Sequence, residues 1–406
     1  MVEAHFVQVI IGVCILLFAA KLMAELFVRL KLPIVLGELL AGMIIGPFAI
    51  GSLLIIEGET LLQLSSEVKI LGEIGAIVIL FLAGLEMTPR EFIKGGKASF
   101  TVGTLGVVVP FVVGFFIFQL FGFHAYQAML VATALTATSI AISVQVLSEF
   151  GKLKSPEARL IIGAAVVDDI LAIAVLSVVT SLGGGGESID VVDISFTIIK
   201  VLAFFAAMAV AAIFFVPKLV NSKLWKAGGS IEGVVTAAFF GAAGLAAVIG
   251  LSPILGAFVV GMALSSTKLF ERVEHYVSKL GLIFAPLFFA IIGAQVDFRG
   301  IGANPEILLI GAAVIGIAVA TKMLGCGLPA WLFLRNGPQA KRVGIGMVSR
   351  GEVGLIVAGV GLSSGVLTSN VYTTIVLMVA ATSIITPIWL KLEYRKDLQK
   401  NPAPQD

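Results

Sequence analysis

The chain has 406 residues, of which 59% are hydrophobic and 13% charged, with a formal net charge of +2. Its mean hydropathy of +1.09 lies beyond what a soluble domain of ordinary composition carries. That excludes the soluble enzyme and binding-module classes, and so small a net charge gives no reason to invoke a nucleic-acid partner.

Taken in chain order, the apolar runs between polar or Gly/Pro breaks predict thirteen membrane spans, most of them about 20 residues or longer, enough to cross a hydrocarbon core. Span 1 covers roughly 4–30; no basic region and no small-residue cleavage pattern accompanies it, so it reads as a helix rather than a removable signal peptide. Span 2 (33–51) opens Pro33-Ile34-Val35-Leu36-Gly37 and continues to Gly42-Met43, and span 3 (67–87) ends Gly84-Leu85-Glu86. Span 4 follows at 97–121. Span 5 (125–150) contains a hydroxyl-rich run with Thr133, Thr136, Thr138 and Ser139, a weak helix former. Span 6 (156–182) carries Asp168 and Asp169, and span 7 covers 194–220. Spans 8 and 9 (231–249 and 252–267) are divided at Leu251-Ser252-Pro253, the boundary most open to a miscount. Span 9 opens Pro253-Ile254-Leu255-Gly256 and continues to Gly261-Met262; span 10 (277–296) ends Gly293-Ala294-Gln295. Span 11 (305–334) has Lys322 near its middle, span 12 (339–363) contains Ser349-Arg350-Gly351-Glu352, and span 13 covers 370–393. Cys14 and Cys326 fall inside apolar runs and are expected to be core thiols, too few for a disulfide framework or a metal site.

Loop charges test the count independently. Alternate loops carry Arg29 and Lys31; Arg90, Lys94 and Lys97; Lys152, Lys154 and Arg159; Lys218, Lys223 and Lys226; Lys268, Arg272 and Lys279; Arg335, Lys341 and Arg342; and Lys391, Arg395, Lys396 and Lys400, which is 21 of the 27 basic residues. The other side holds Lys69 and Arg299 beside Glu57, Glu59, Glu67, Asp190, Asp193 and Asp297. The positive-inside rule therefore predicts an external N-terminus and a cytoplasmic C-terminus in a multi-pass protein of the cell membrane. Lys21 and Lys200, within spans, are placed to snorkel.

The matched openings of spans 2 and 9 and endings of spans 3 and 10 are both offset by seven spans. An odd offset means that the two copies run through the membrane in opposite directions, spans 1–6 against 8–13, with span 7 as connector. Spans 5 and 12, both irregular, stand at the same offset. Interrupted helices at matched positions of two repeats point to a binding site, because unwound carbonyls and half-helix ends can replace an ion's hydration shell.

Each ionisable group at the bilayer centre costs roughly 2.5–3.5 kcal/mol or more on insertion scales, so those of spans 6 and 11 need a purpose. From Pro156, Asp168 and Asp169 lie about 20 Å along the helix, near mid-membrane. Adjacent helical residues project about 100° apart, so one carboxylate can meet a fixed partner while the other faces a cavity. Lys322 is the obvious fixed partner for Asp168, and a static structural ion pair is the alternative to a working one. A small hard cation wants oxygen ligands, which makes Asp169 the candidate metal-cation ligand. Burial brings proton and cation into competition for one carboxylate. Aspartyl protease chemistry is disfavoured because the two acids are sequence neighbours rather than on facing helices. Zinc protease chemistry fails because His5, His124 and His275 fall near helix ends with no His-Glu-x-x-His. A channel remains open as an alternative.

The chain resembles the second cation:proton antiporter family, which includes KefB-like proteins and the NapA-type sodium/proton antiporters. The residues that carry the resemblance are the segment from Leu32 to Pro47, that from Leu71 to Met87, the Thr-Ala-Thr-Ser of span 5, Asp168-Asp169, Lys322 and Arg350-Gly351-Glu352. It implies an all-α polytopic membrane protein of about 13 transmembrane helices, with an inverted-repeat antiporter fold and two crossed, broken helices. It further implies scaffold helices at 1–96 and 231–300, core halves at 97–183 and 301–393, a linker helix in 184–230 and a short tail at 394–406. Asp169 would bind cation and proton, with Thr138 and Ser139 at the helix break. Asp168 would pair with Lys322 in one state, and Arg350 and Glu352 would compensate the break electrostatically. The implied activity is exchange of cytoplasmic sodium or lithium for external protons, electrogenic, by a homodimer in the lipid bilayer, with potassium/proton exchange as the alternative. No catalytic residue and no cofactor beyond the transported ions is implied. The cytosolic nucleotide-binding domain of the KefB and KefC efflux systems is not expected in a chain that stops about a dozen residues after span 13, so gating of that kind would have to come from a separate subunit.

Overall fold

The computed structural model describes residues 2–53, 55–56, 59–60, 62–183, 191–297 and 305–400. Glu57, Asp190 and Arg299 from the charge argument lie outside the described residues, as do the side chains of Glu59, Asp193 and Glu352. Among the described residues, ten helices are long and apolar enough to cross a membrane. The remaining three predicted spans are those with reasons to differ. Span 5 is two short helices, Ala125–Ala134 and Ile140–Glu149; span 12 is Gly337–Gly346 and Glu352–Ser363; and span 9 is Pro253–Leu264, only 12 residues. The regular helix of span 2 is equally short, Ile34–Ile45, and this span reaches crossing length only with the segment through the Ile50–Leu53 turn. The helices of spans 2 and 9 each reach about 18 Å at 1.5 Å per residue.

Spans 2 and 9 are largely buried among neighbouring helices. Span 2 packs on Val2–Arg29 (span 1) and Phe270–Ala294 (span 10), and span 9 packs on Ser66–Leu85 (span 3), Val191–Val220 (span 7) and Ser230–Val248 (span 8). A second set of contacts joins Gly96–Leu120 (span 4), both halves of span 5, Pro156–Gly183 (span 6), span 11, both halves of span 12 and Ser369–Lys400 (span 13).

Glycine contacts display the inverted repeat in atomic detail. A Cβ on Gly42 would fall 1.8 Å from the Ala290 carbonyl oxygen, and one on Gly293 would fall 2.0 Å from that of Leu39. The repeat mates reproduce both contacts: Gly261 against Phe81 O and Gly84 against Phe258 O, each at 2.2 Å. Gly37 against Met23 O likewise matches Gly256 against Ala242 O. Gly75 meets Phe284, its own counterpart at the span 3 to span 10 offset, which puts the pseudo-two-fold axis between those two helices. Small residues let apolar helices approach closely where lipid supplies no hydrophobic drive for association. Gly42→Ala and Gly261→Ala are each expected to cost about 1–3 kcal/mol or more through overpacking, read as a lowered melting temperature in detergent. Gly12→Ala, with nothing within 4 Å of its Cβ, should leave it unchanged.

Four features depart from expectation. Cys326 is buried but Cys14 is exposed, because span 1 is apolar all round and its pattern cannot separate a lipid-facing side from a packed one. Between spans 3 and 4, Pro89–Lys94 forms a short helix with a Thr88/Glu91 capping box. The Thr88 amide, donating to Glu91 Oε2 at 3.0 Å, is the main cause holding that carboxylate below its usual range. The loop after span 2 contains a two-residue antiparallel pairing, Ile55↔Thr60 and Ile56↔Glu59. Span 11 is interrupted by a π turn, Met323–Gly327, between Pro305–Lys322 and Leu328–Leu334.

Candidate functional site

The two breaks cross each other. The Ser139 amide donates to Ser349 O at 2.9 Å, and Ser349 Oγ donates to Ser139 O at 2.8 Å. Ser143 Oγ donates to Gly346 O, and Thr138 Oγ1 lies 3.5 Å from Met347 O. Side-chain hydroxyls also bond locally, Thr133 Oγ1 to Met129 O and Thr136 Oγ1 to Thr133 O, which is how such residues weaken a helix and end it. Gly351 is needed at the crossing, since a Cβ there would lie 2.7 Å from Ser139 Cβ. Ser139 Oγ is buried without a hydrogen-bond partner.

Four half-helix ends meet here, two with exposed N–H groups and two with exposed carbonyls, and each kind carries partial charge. The charged side chains compensate them. Asp168 Oδ2 accepts the Thr138 amide at 2.9 Å, ahead of the helix that starts at Ile140. Arg350 caps the carboxyl end of the Gly337–Gly346 half: Nη1 donates to Met347 O at 3.1 Å and Val348 O at 2.8 Å, and Nη2 to Ala318 O of span 11 at 3.3 Å. Both side chains are wholly buried.

The other oxygen of Asp168 takes the charge-assisted contact, with Lys322 Nζ at 2.6 Å and both side chains at 0% exposure. Lys322 is the last residue before the π turn, and such turns occur at functional sites because they re-aim side chains. Span 4 makes room for the pair, since a Cβ on Gly106 would lie 2.6 Å from Cys326 Sγ and within 3.6 Å of Lys322 Nζ and Asp168 Oδ1. Asp169, the next residue, is buried at 6% exposure. The structure thus brings together Asp168, Asp169, Thr138, Ser139, Lys322 and Arg350. The Glu352 backbone opens the second half of span 12, and its side chain lies outside the described residues.

Sequence reasoning missed the second-repeat partners. The Arg350 amide donates to Thr382 Oγ1 at 3.3 Å, and Ser383 Oγ donates to Arg350 O at 2.9 Å. Thr382-Ser383 stands in span 13 where Asp168-Asp169 stands in span 6, so the backbone amide at each break is held the same way in both copies, by the Asp168 carboxylate in one and the Thr382 hydroxyl in the other. Extending the repeat alignment from spans 2 and 9 to spans 6 and 13 would have found them. Also unanticipated is a cavity of about 650 Å3 between the two sets of helices, at the end away from the basic loops. Glu73, Gln295 and Tyr372 line it, and it descends to Leu355 and Ile356, one turn past Glu352. Among the described residues, no group of three or more His, Cys, Asp or Glu is placed to hold a metal ion, and the site's chemistry is that of a few oxygens around one carboxylate.

Known proteins share this architecture along its length. The Na(+)/H(+)-K(+) antiporter GerN of Bacillus cereus is 37% identical over 387 residues, covering 94% of this chain and 95% of the relative. The high-affinity Na(+)/H(+) antiporter NhaS3 of Synechocystis is 35% identical over 430 residues, covering 98% and 92%. The electron-microscopy structure of the sodium proton antiporter MjNhaP1 from Methanocaldococcus jannaschii superposes with a TM-score of 0.69 over 97% of this chain and 98% of that one, at 17% identity. The profile described as sodium/hydrogen exchanger, transmembrane, matches residues 13–393. Crossed half-helices, an acid–lysine pair buried between them and likeness over nearly the whole chain lead to one assignment: this chain belongs to the sodium/hydrogen exchanger family and is a cation/proton antiporter, not an enzyme.

Proposed function

We propose that this protein exports cytoplasmic sodium, or lithium, in exchange for external protons, moving net charge in each cycle. The observation that carries the reading is the fully buried Asp168–Lys322 pair at the helix crossing, with a second buried acid, Asp169, next to it. Asp169 takes either a proton or the cation, with the Thr138 and Ser139 oxygens at hand. Lys322 holds a proton while paired to Asp168 and releases it when the pair opens, which supplies the extra charge. Adjacent aspartates with this lysine favour the second cation:proton antiporter branch of the family.

In this reading, spans 4–6 and 11–13 form a core that moves against a scaffold of spans 1–3 and 8–10, and the scaffold meets a second copy in a homodimer. The distribution of basic loops supports an external N-terminus and a cytoplasmic C-terminus. The 650 Å3 cavity then opens to the outside. Potassium/proton exchange is the second reading, favoured by the name of the GerN relative, which includes potassium.

The test is transport in proteoliposomes with a trapped pH probe, comparing sodium, lithium and potassium with the membrane potential free or clamped by an ionophore. Sodium and lithium should each drive proton movement, and clamping should accelerate it. A response to potassium alone would replace the sodium reading, and insensitivity to clamping would remove the electrogenic step.

A further inference from the structure

We infer that Glu149 is a latch for the inner gate. Its carboxylate, on the core, holds the first turn of the scaffold's span 2 and keeps the cytoplasmic side shut while the outer cavity stands open. The inference rests on the exchanger reading above, with its moving core and its orientation.

Glu149 is the last residue of the second half of span 5. Its two oxygens accept the Ile34 amide at 3.0 Å and the Val35 amide at 3.2 Å. These are first-turn donors of Ile34–Ile45 with no partner inside their own helix. The contact joins the two groups of helices that alternating access must separate. A second charged contact bridges them at the same end, Lys154 of the span 5 to span 6 loop to Glu86 at the end of span 3, at 3.1 Å. The charged side chains facing Glu149 are Glu38 on span 2 and Lys391 on span 13, and Lys21 on span 1 in turn faces Glu38. Glu38 is itself buried at 2% exposure, with Oε2 lacking a hydrogen-bond partner.

The inverted repeat provides an internal control. The offset that relates Gly37 to Gly256 and Gly42 to Gly261 carries Ile34 and Val35 onto Pro253 and Ile254. Pro253 has no N–H to donate. The offset that relates Thr138 to Arg350, whose amides reach Asp168 and Thr382, carries Glu149 onto Gly361, where no acid stands. The mate of Glu86 is the neutral Gln295, which lines the outer cavity. Among the described residues, the carboxylate contact on the first-turn amides of span 2 therefore has no repeat mate at the other end.

Glu149 is thus a positioning residue. Opening the inner side breaks two hydrogen bonds to a carboxylate, so the latch sets how often the cytoplasmic entrance is available. Because apparent affinity scales with the population of the competent state, it also sets the cytoplasmic sodium affinity.

The experiment is hydrogen–deuterium exchange mass spectrometry on the full chain in lipid nanodiscs, comparing wild type with Glu149→Gln. Exchange in 34–40 should rise by roughly tenfold or more, as when a charge-assisted hydrogen bond is weakened. Exchange in 288–295, which lines the outer cavity, should fall in the same sample. In oriented vesicles the KM for cytoplasmic sodium should drop with the maximal rate retained. Ile34→Pro provides a second route. It deletes one donor at a first helical position that tolerates proline and follows Pro33 at ψ 137, and it should shift both segments in the same directions. Unchanged exchange in 34–40 would overturn the latch, and so would a rise there without the opposed fall in 288–295, which marks a local helix cap. Absence of sodium-driven proton movement by the wild type would sink the exchanger reading instead, leaving the deuterium result legible.

Discussion

Asp169→Asn abolishes sodium-driven proton movement in proteoliposomes while leaving the melting temperature of the purified protein close to that of wild type. Asparagine keeps the size and shape of the side chain, so the packing of span 6 has no reason to change. It removes the titratable group and the negative charge together. A unit charge about 4 Å from a monovalent cation is worth about 4 kcal/mol at an effective dielectric constant near 20, so its loss weakens sodium binding by roughly a thousandfold. Asp168 cannot substitute, because one of its oxygens is held by Lys322 and the other by the Thr138 amide. Exchange by Asp169→Asn at the wild-type rate would place the carrier elsewhere.

The largest stability effect is expected at the Asp168–Lys322 pair. Lys322→Ala leaves a carboxylate at 0% exposure beside an empty space, and breaking a buried pair by removing one partner costs about 3–5 kcal/mol. Asp168→Asn should cost a comparable amount, since it strands the ammonium. The double variant Asp168→Asn with Lys322→Ala should recover much of the loss, because no uncompensated charge then remains buried. A thermal double-mutant cycle in detergent measures the coupling, and simple additivity of the two losses would mean that the pair contributes nothing as a pair. Lys322→Gln separates structure from transport. Its amide can still donate to Asp168 but cannot release a proton, so exchange should persist while clamping the membrane potential no longer alters its rate.

Much of the fold was legible in the sequence because lipid leaves the backbone few choices. Every polar backbone group in a bilayer must be satisfied internally, so long apolar runs become helices and their ends fall at charged loops. The same rule exposes the exceptions. The Thr-rich run of span 5 and Arg350-Gly351 of span 12 read as breaks, and the helices part at 135–139 and 347–351. The acids at Asp168 and Asp169 stood out because charge at mid-membrane is costly. Neither the π turn after Lys322 nor the short helix Pro89–Lys94 leaves a mark in the hydropathy pattern, although Thr88-x-x-Glu91 is a helix-start signal.

What sequence alone determined is therefore the membrane class, the polytopic all-helical architecture, the antiparallel duplication and the location of the charged residues along the chain. Tertiary structure decided which side of each helix meets lipid and which acid meets which base. Cys14 and Cys326 both lie in apolar runs, yet one is exposed and the other buried. Glu149 finds its partners 115 and 114 residues away, on backbone amides that carry no residue identity to read. In water an amphipathic pattern marks the buried side of a helix. Where the surroundings are as apolar as the protein interior, that contrast vanishes, and only the packing of one helix on another can supply it.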